Sequence, residues 1–213
     1  MKNKRAILLI GIVFTILLVT GTQVKAQKVE LSPFIGYETG ANIPIYYGGN
    51  YGDLHIEDGM VWGGVLDVGM GGGRYGEFSY SHMASQVGFE GGLTPQELVN
   101  LAVDYYSLGV LQEMKPDAKA TPYGLFTLGV VNYRPIDDSQ YSSENKMHVS
   151  LAGGIKIKAS ERIGLRLQAR LLMPLYYAGT YFSFGTSGAG AGVSGGVHGV
   201  QGDFTAALVF NLR

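Results

Sequence analysis

The chain of 213 residues contains no cysteine. That excludes disulfide stapling, thiolate metal sites and a lipid anchor carried on a lipobox cysteine. Proline is scarce, at 7 residues, and tryptophan occurs once. Charged residues make up only 15% and nowhere form a basic run, which is a poor match to nucleic acid. Beyond the first 26 residues, no apolar run reaches the length of a membrane-spanning helix. Without covalent staples, stability must come from another source, such as closure of a sheet.

The N-terminus reads as a secretory signal. "MKNKR" is a cationic start, "AILLIGIVFTILLV" an unbroken apolar stretch, and "VKA" before Gln27 a small-residue cleavage region. An uncleaved anchor over Ala6 to Val24 is the alternative, but Thr20, Thr22, Gln23 and Lys25 break up its end. Cleavage after residue 26 leaves one domain of 187 residues, 27–213. Lys2, Lys4, Arg5 and Lys25 leave with the signal, so 12 cationic side chains face 17 acidic ones, a net charge of −5.

What the chain has in quantity is glycine, 33 residues, and tyrosine, 14 residues. This combination favours strands joined by glycine-rich turns. The segment "RIGLRLQARLLM", Arg162 to Met173, decides between periods. At helical spacing its apolar residues scatter around most of the circumference. As a strand, every odd position from Ile163 to Met173 is apolar, and Arg162, Gly164, Arg166, Gln168 and Arg170 occupy the other face.

Eight segments alternate in this way. They are Val29–Tyr37, Met60–Met70, Tyr75–Met83, a stretch around Leu98–Leu111, Pro122–Val131, Met147–Lys158, Arg162–Met173 and Asp203–Leu212. In the fourth, Asp104 is expected to share the polar face, which turns Leu101, Val103 and Tyr105 the other way. Three connections are short: "GGGR", "MKPDAKA" and "ASER". Four are long, near Glu38–Gly59, Ala84–Glu97, Asn132–Lys146 and Pro174–Gly202. Eight strands with alternating short and long links predict an all-β fold, an eight-stranded antiparallel transmembrane barrel with short periplasmic turns and long extracellular loops. Side-chain size sets the orientation. A barrel of eight strands has room inside only for its own side chains. The small and charged set therefore faces inward, and the bulky aliphatic and aromatic set faces lipid.

"SPFIGYETG", "PYGLFTLGV", "AGGIKIKASERIGLRLQAR" and the closing "FTAALVFNL", following a signal peptide, resemble the small outer-membrane β-barrels. The likeness is to the opacity-like and OmpA-transmembrane-domain-like barrels, of Bacteroidetes type, and it spans residues 27–213. It implies location in the outer membrane of a Gram-negative bacterium, with lipid and lipopolysaccharide as surroundings and the barrel-assembly machinery as a partner in biogenesis. Such barrels end on an aromatic residue, whereas here Asn211, Leu212 and Arg213 follow Phe210.

The expected lumen charges are Asp67, Glu77, Asp104 and Asp203 against Lys156, Lys158, Arg166 and Arg170. Unpaired charges there would be costly, so they should pair and plug the bore; the alternative is a narrow pathway for ions or small solutes. An aromatic girdle is expected from Tyr37, Trp62, Tyr75, Tyr123, Tyr133, Tyr176 and Tyr177.

Other motifs carry less chemistry. "GAGVSG", Gly190–Gly195, matches the dinucleotide pattern but lies in a loop without room for a βαβ unit. "SHMAS" brings Ser81, His82 and Ser85 together near Glu90, the raw material of a lipid A-modifying enzyme. An interfacial polar cluster is the plainer reading, and no catalytic residues are expected. "DDSQYSSEN", Asp137–Asn145, lacks the glycine and closing glutamate of a calcium loop, so neither metal nor cofactor is expected. Ile45, Tyr46, Tyr47 and Tyr51 offer either a contact surface or more girdle. A surface barrel with a structural or loop-mediated binding role follows, with a channel, a lipid-active enzyme and a soluble ligand-holding barrel as alternatives.

Overall fold

The computed structural model describes residues 28–212, apart from 48–49, 91–98, 117, 137–142, 186–187 and 198–199. The expected signal peptide lies outside these residues. Eleven strands follow one another: β1 (Val29–Glu38), β2 (Ala41–Tyr47), β3 (Asn50–Ile56), β4 (Gly59–Gly71), β5 (Arg74–Glu90), β6 (Val99–Glu113), β7 (Ala120–Pro135), β8 (Glu144–Lys158), β9 (Ile163–Gly185), β10 (Gly188–Val197) and β11 (Gln201–Asn211).

Eight of them are staves. The order β1-β4-β5-β6-β7-β8-β9-β11 closes on itself, because β1 pairs with β11 on one side and β4 on the other. Every pairing is antiparallel. The remaining strands extend the cylinder at the long-connection end. The β2–β3 hairpin pairs onto the far end of β5 through β3, and β10 pairs onto the far end of β9. Parts of all four long connections expected as loops are therefore strand: in β2 and β3, in β5 beyond Ala84, in the ends of β7 and β8, and in β9 and β10. Residues that looked like spacer carry backbone that pairs as well as any strand.

The short end is built from tight turns. Between β4 and β5, Gly71, Gly72 and Gly73 all have positive φ, at 86°, 63° and 72°. Left-handed backbone of this kind is open to glycine at little steric cost.

Alternation then sorts side chains as expected along most staves. Leu31, Ile35, Leu66, Phe78, Leu151, Leu171, Phe204 and Leu208 stand exposed on the outer wall. Glu30, Ser32, Asp67, Glu77, Ser79, Ser150, Arg166 and Asp203 are buried in the lumen. This is the reverse of a water-soluble barrel, which would bury the aliphatic set. On β6 the expected phase is wrong. Leu101, Val103 and Tyr105 are buried in the lumen, and Asp104 lies on the outer wall. An apolar cluster fills much of the upper bore, so both faces of β6 look greasy there and Asp104 misleads.

Candidate functional site

The lumen has two storeys. In the lower one, near the short turns, two cations hang from adjacent staves. Lys156 on β8 places Nζ 2.8 Å from Glu30, 3.2 Å from Asp67 and 3.6 Å from Glu113. Arg166 on β9 places Nη1 3.2 Å from Asp67 and Nη2 2.8 Å from Glu77. Its Nε donates to the Tyr123 hydroxyl at 2.8 Å, and Nη2 also donates to Gln168. Both cations lie over aromatic rings, Lys156 4.3 Å from the Tyr75 centroid and Arg166 4.9 Å from that of Tyr123. Lys28 closes the mouth below, at 2.7 Å from Glu30.

Two of these ion pairs span the barrel. Counting round the ring, β9 and β5 are four staves apart in either direction, and so are β8 and β4. Arg166–Glu77 and Lys156–Asp67 therefore join opposite walls. Charged groups this deeply buried require such partners, since an isolated ion in low dielectric is very costly.

Higher up, Arg170 donates to Asp203 through Nε at 2.8 Å and through Nη2, and reaches Ser81 at 3.4 Å. Glu38 is fully buried beside this level with neither carboxylate oxygen hydrogen-bonded. Above it Ile56, Met83, Leu101, Val103, Tyr105, Val131 and Leu172 pack together. His148 meets Ser107 at 3.0 Å, and Tyr105 donates to Gln201 at 2.6 Å.

The expected residues divide as follows. Asp67, Glu77, Lys156, Arg166, Arg170 and Asp203 come together in the lumen. Lys158 is half-buried at its lower edge, donating to the Pro116 carbonyl. Asp104 does not belong: it sits outside, held by His82 Nδ1 at 2.7 Å and the Tyr80 hydroxyl at 2.9 Å. Glu30 and Glu113 were missed. Glu30 was within reach of the same alternation, one position before Leu31 and in phase with Ser32, whereas the Glu113 assignment fell with the misphased β6.

The girdle also needs correction. Tyr37 and Trp62 are half-exposed on the outer wall. Tyr75 and Tyr123 are buried in the lumen, and Tyr133 packs against its upper apolar cluster. They point inward because their phase on β5 and β7 is that of Glu77 and Thr127, and because Gly154 leaves room beside Tyr123. Tyr176 and Tyr177 are β9 positions whose side chains lie outside the described residues.

"SHMAS" cannot act as one site. Ser81 and Ser85 are buried on the lumen side, and His82 is on the wall, as strand alternation requires. "GAGVSG" is strand β10, paired with β9, where a dinucleotide fingerprint needs a turn into a helix. Residues 137–142 and the side chains of Ile45, Tyr46, Tyr47 and Tyr51 lie outside the described residues. Among the described residues, no three His, Asp or Glu groups are placed to hold a metal ion.

No family model and no curated protein matches the chain. Solved structures do. The outer membrane protein OprG from Pseudomonas aeruginosa aligns with a TM-score of 0.61 at 11% identity, over 88% of this chain and 96% of that one. This chain has the fold of the small eight-stranded outer-membrane β-barrels. Neisserial surface protein A aligns at 0.55 and 8% identity, over 87% of this chain and 97% of its own. The outer membrane protein AlkL, solved in lipid bilayers, aligns at 0.54 and 10% identity, over 91% and 94%. At such identities the likeness is one of fold, and function has to be argued from residues.

Proposed function

We propose that this protein is an outer-membrane surface barrel, with a lumen closed by inward ion pairs and a structural or binding role carried by its long outer connections. Membrane lipid and lipopolysaccharide surround it, the barrel-assembly machinery inserts it, and an extracellular ligand or adhesion partner meets its outer end. It is read as a non-enzymatic protein.

The observation that supports this reading is the pair of ion bridges across the full width of the bore. Conduction needs a continuous polar path that ions can enter and leave. Here most of the charged lumen groups are paired with one another, and an apolar cluster packs above Arg170. The test is planar-bilayer conductance of the refolded chain, residues 27–213. The expected record is silent, and Arg166→Met should raise leak current by opening the crossing. A steady, solute-dependent current from the unaltered protein would overturn the plug and favour a channel.

A further inference from the structure

The outer wall carries a carboxylate that a lipid-facing surface would exclude. Asp104 projects outward from β6, and charges on the lipid face of a barrel are costly near the midplane and much less so near the interfaces. It is almost fully covered, by His82 Nδ1 at 2.7 Å, by the Tyr80 hydroxyl at 2.9 Å, and by Arg134 Nη2 at 3.6 Å. Trp62 packs on His82 with ring centroids 5.2 Å apart and on Tyr80 edge-on at 6.2 Å.

Height along the wall decides what this cluster meets. His82 is eight residues beyond Arg74, the first residue of β5. At a strand rise of ~3.4 Å per residue and a tilt of about 40°, it stands ~20 Å above the short-turn end. The apolar band of such a barrel is about 25 Å tall, so the cluster lies in its uppermost part, close below the headgroups. Phe78 and Leu108 are exposed on the wall below it, toward the short turns, at acyl-chain depth.

The chemistry is that of an anion site with a proton acceptor. Asp104 is engaged by its neighbours and serves to hold them. Arg134 is more than half exposed, and its single long contact leaves most of its donors facing outward. With Nδ1 engaged by Asp104, the imidazole presents Nε2 on its far side. A phosphomonoester monoanion carries a P–O–H proton that Nε2 can accept. The contact so formed is a P–O–H to Nε2 hydrogen bond, with Asp104 fixing the ring through Nδ1. Arg134 then faces the phosphate oxygens, for which a guanidinium is well shaped.

We propose that His82, Asp104 and Arg134, framed by Trp62 and Tyr80, form a binding site for the phosphomonoester headgroup of an outer-leaflet lipid. The inference rests on the membrane-spanning reading above. Asp104 is a positioning residue here, since it reaches the ligand only through His82 and Arg134.

Trp62 is the chain's only tryptophan and reports on the site directly. The barrel, refolded in dodecyl maltoside, is titrated with phosphatidic acid, with phosphatidylglycerol (a diester without that proton), with diacylglycerol and with inorganic phosphate. The expected result is a saturable change in Trp62 emission with phosphatidic acid, its midpoint at least tenfold lower than with phosphatidylglycerol. His82→Gln and Arg134→Gln should each raise that midpoint about tenfold. Arg134 is exposed enough that its variant folds even if that of His82 does not. Equal midpoints for phosphatidic acid and diacylglycerol, or unchanged midpoints in both variants, would overturn the site. Saturation by inorganic phosphate at the same concentration would overturn the lipid as its source. Partitioning into a detergent phase separates the two levels. A chain that stays in water sinks the membrane reading, whereas one that partitions yet ignores phosphatidic acid sinks only this site.

Discussion

Arg166 and Glu77 hang from opposite staves, β9 and β5, and meet inside the barrel with Nη2 2.8 Å from Oε2. Both are buried, at 2% and 3% exposure. The pair fastens two strands that share no backbone hydrogen bond.

Arg166→Met should therefore destabilise the barrel strongly. Removing Arg166 strands Glu77 as an uncompensated buried charge and leaves Asp67 to Lys156 alone, a loss of about 3–5 kcal/mol. The temperature at which the folded band disappears on unheated gels should drop accordingly. Adding Glu77→Gln to Arg166→Met should recover part of that loss. An Arg166→Met barrel that melts with the unaltered protein would show that the crossing contributes nothing.

Gly154 tests the packing of the same storey. A Cβ built there would run into the Tyr123 hydroxyl and the Leu167 carbonyl, and Tyr123 accepts a hydrogen bond from Arg166. Gly154→Ala should cost about 1–3 kcal/mol through overpacking. Gly124→Ala is the control, because a Cβ at that position meets nothing within 4 Å. Urea unfolding of both variants in detergent should separate them clearly, and equal midpoints would refute the packing argument.

The β4–β5 turn isolates a backbone effect. Gly72 has φ of 63°, and a Cβ there would meet only Arg74 Nη2 at an ordinary 3.9 Å. Gly72→Ala should cost about 1–2 kcal/mol from left-handed strain alone, and Gly72→Asn noticeably less, since asparagine tolerates that region. Equal denaturation midpoints for the two variants would contradict this.

Trp62 gives the depth of the outer wall. It is half-exposed, faces outward and sits level with His82. In lipid vesicles its fluorescence should be quenched more by spin labels near the headgroup than by labels near the bilayer centre. The opposite order would place the wall at the wrong height, and quenching by aqueous iodide alone would take it out of the membrane.

Much of this architecture can be read from alternation, and the exceptions have physical causes. β1, β4, β5, β8, β9 and β11 carry a charged or small residue at most inward positions, as with Glu77, Ser79 and Ser81, so their phase is plain. β6 has Leu101, Val103 and Tyr105 inward and Leu108 and Val110 outward. Period two is present there, but contrast between the faces is not. Asp104 then looks like a lumen residue, and only the neighbouring strand shows otherwise, since His82 and Tyr80 are outward on β5. The inward tyrosines mislead for a related reason. A narrow bore takes an aromatic ring wherever glycine on the next stave makes room, and the sequence does not show which glycine faces which ring. The added strand β10 is hidden because glycine-rich segments read as linkers whether or not their backbones pair.

Ion pairs across the diameter also bear on how the barrel is made. A half-rolled sheet cannot form them, because Lys156 meets Glu30 and Asp67 only once β1 and β4 have swung round to face β8. Until the β1–β11 seam closes, Lys156 and Arg166 would face hydrocarbon alone, at several kcal/mol each. An open sheet is thus a poor guest in the bilayer, and closure and insertion are coupled into one step. The charges that look like a plug in the finished barrel serve, during assembly, as a check that the ring is complete.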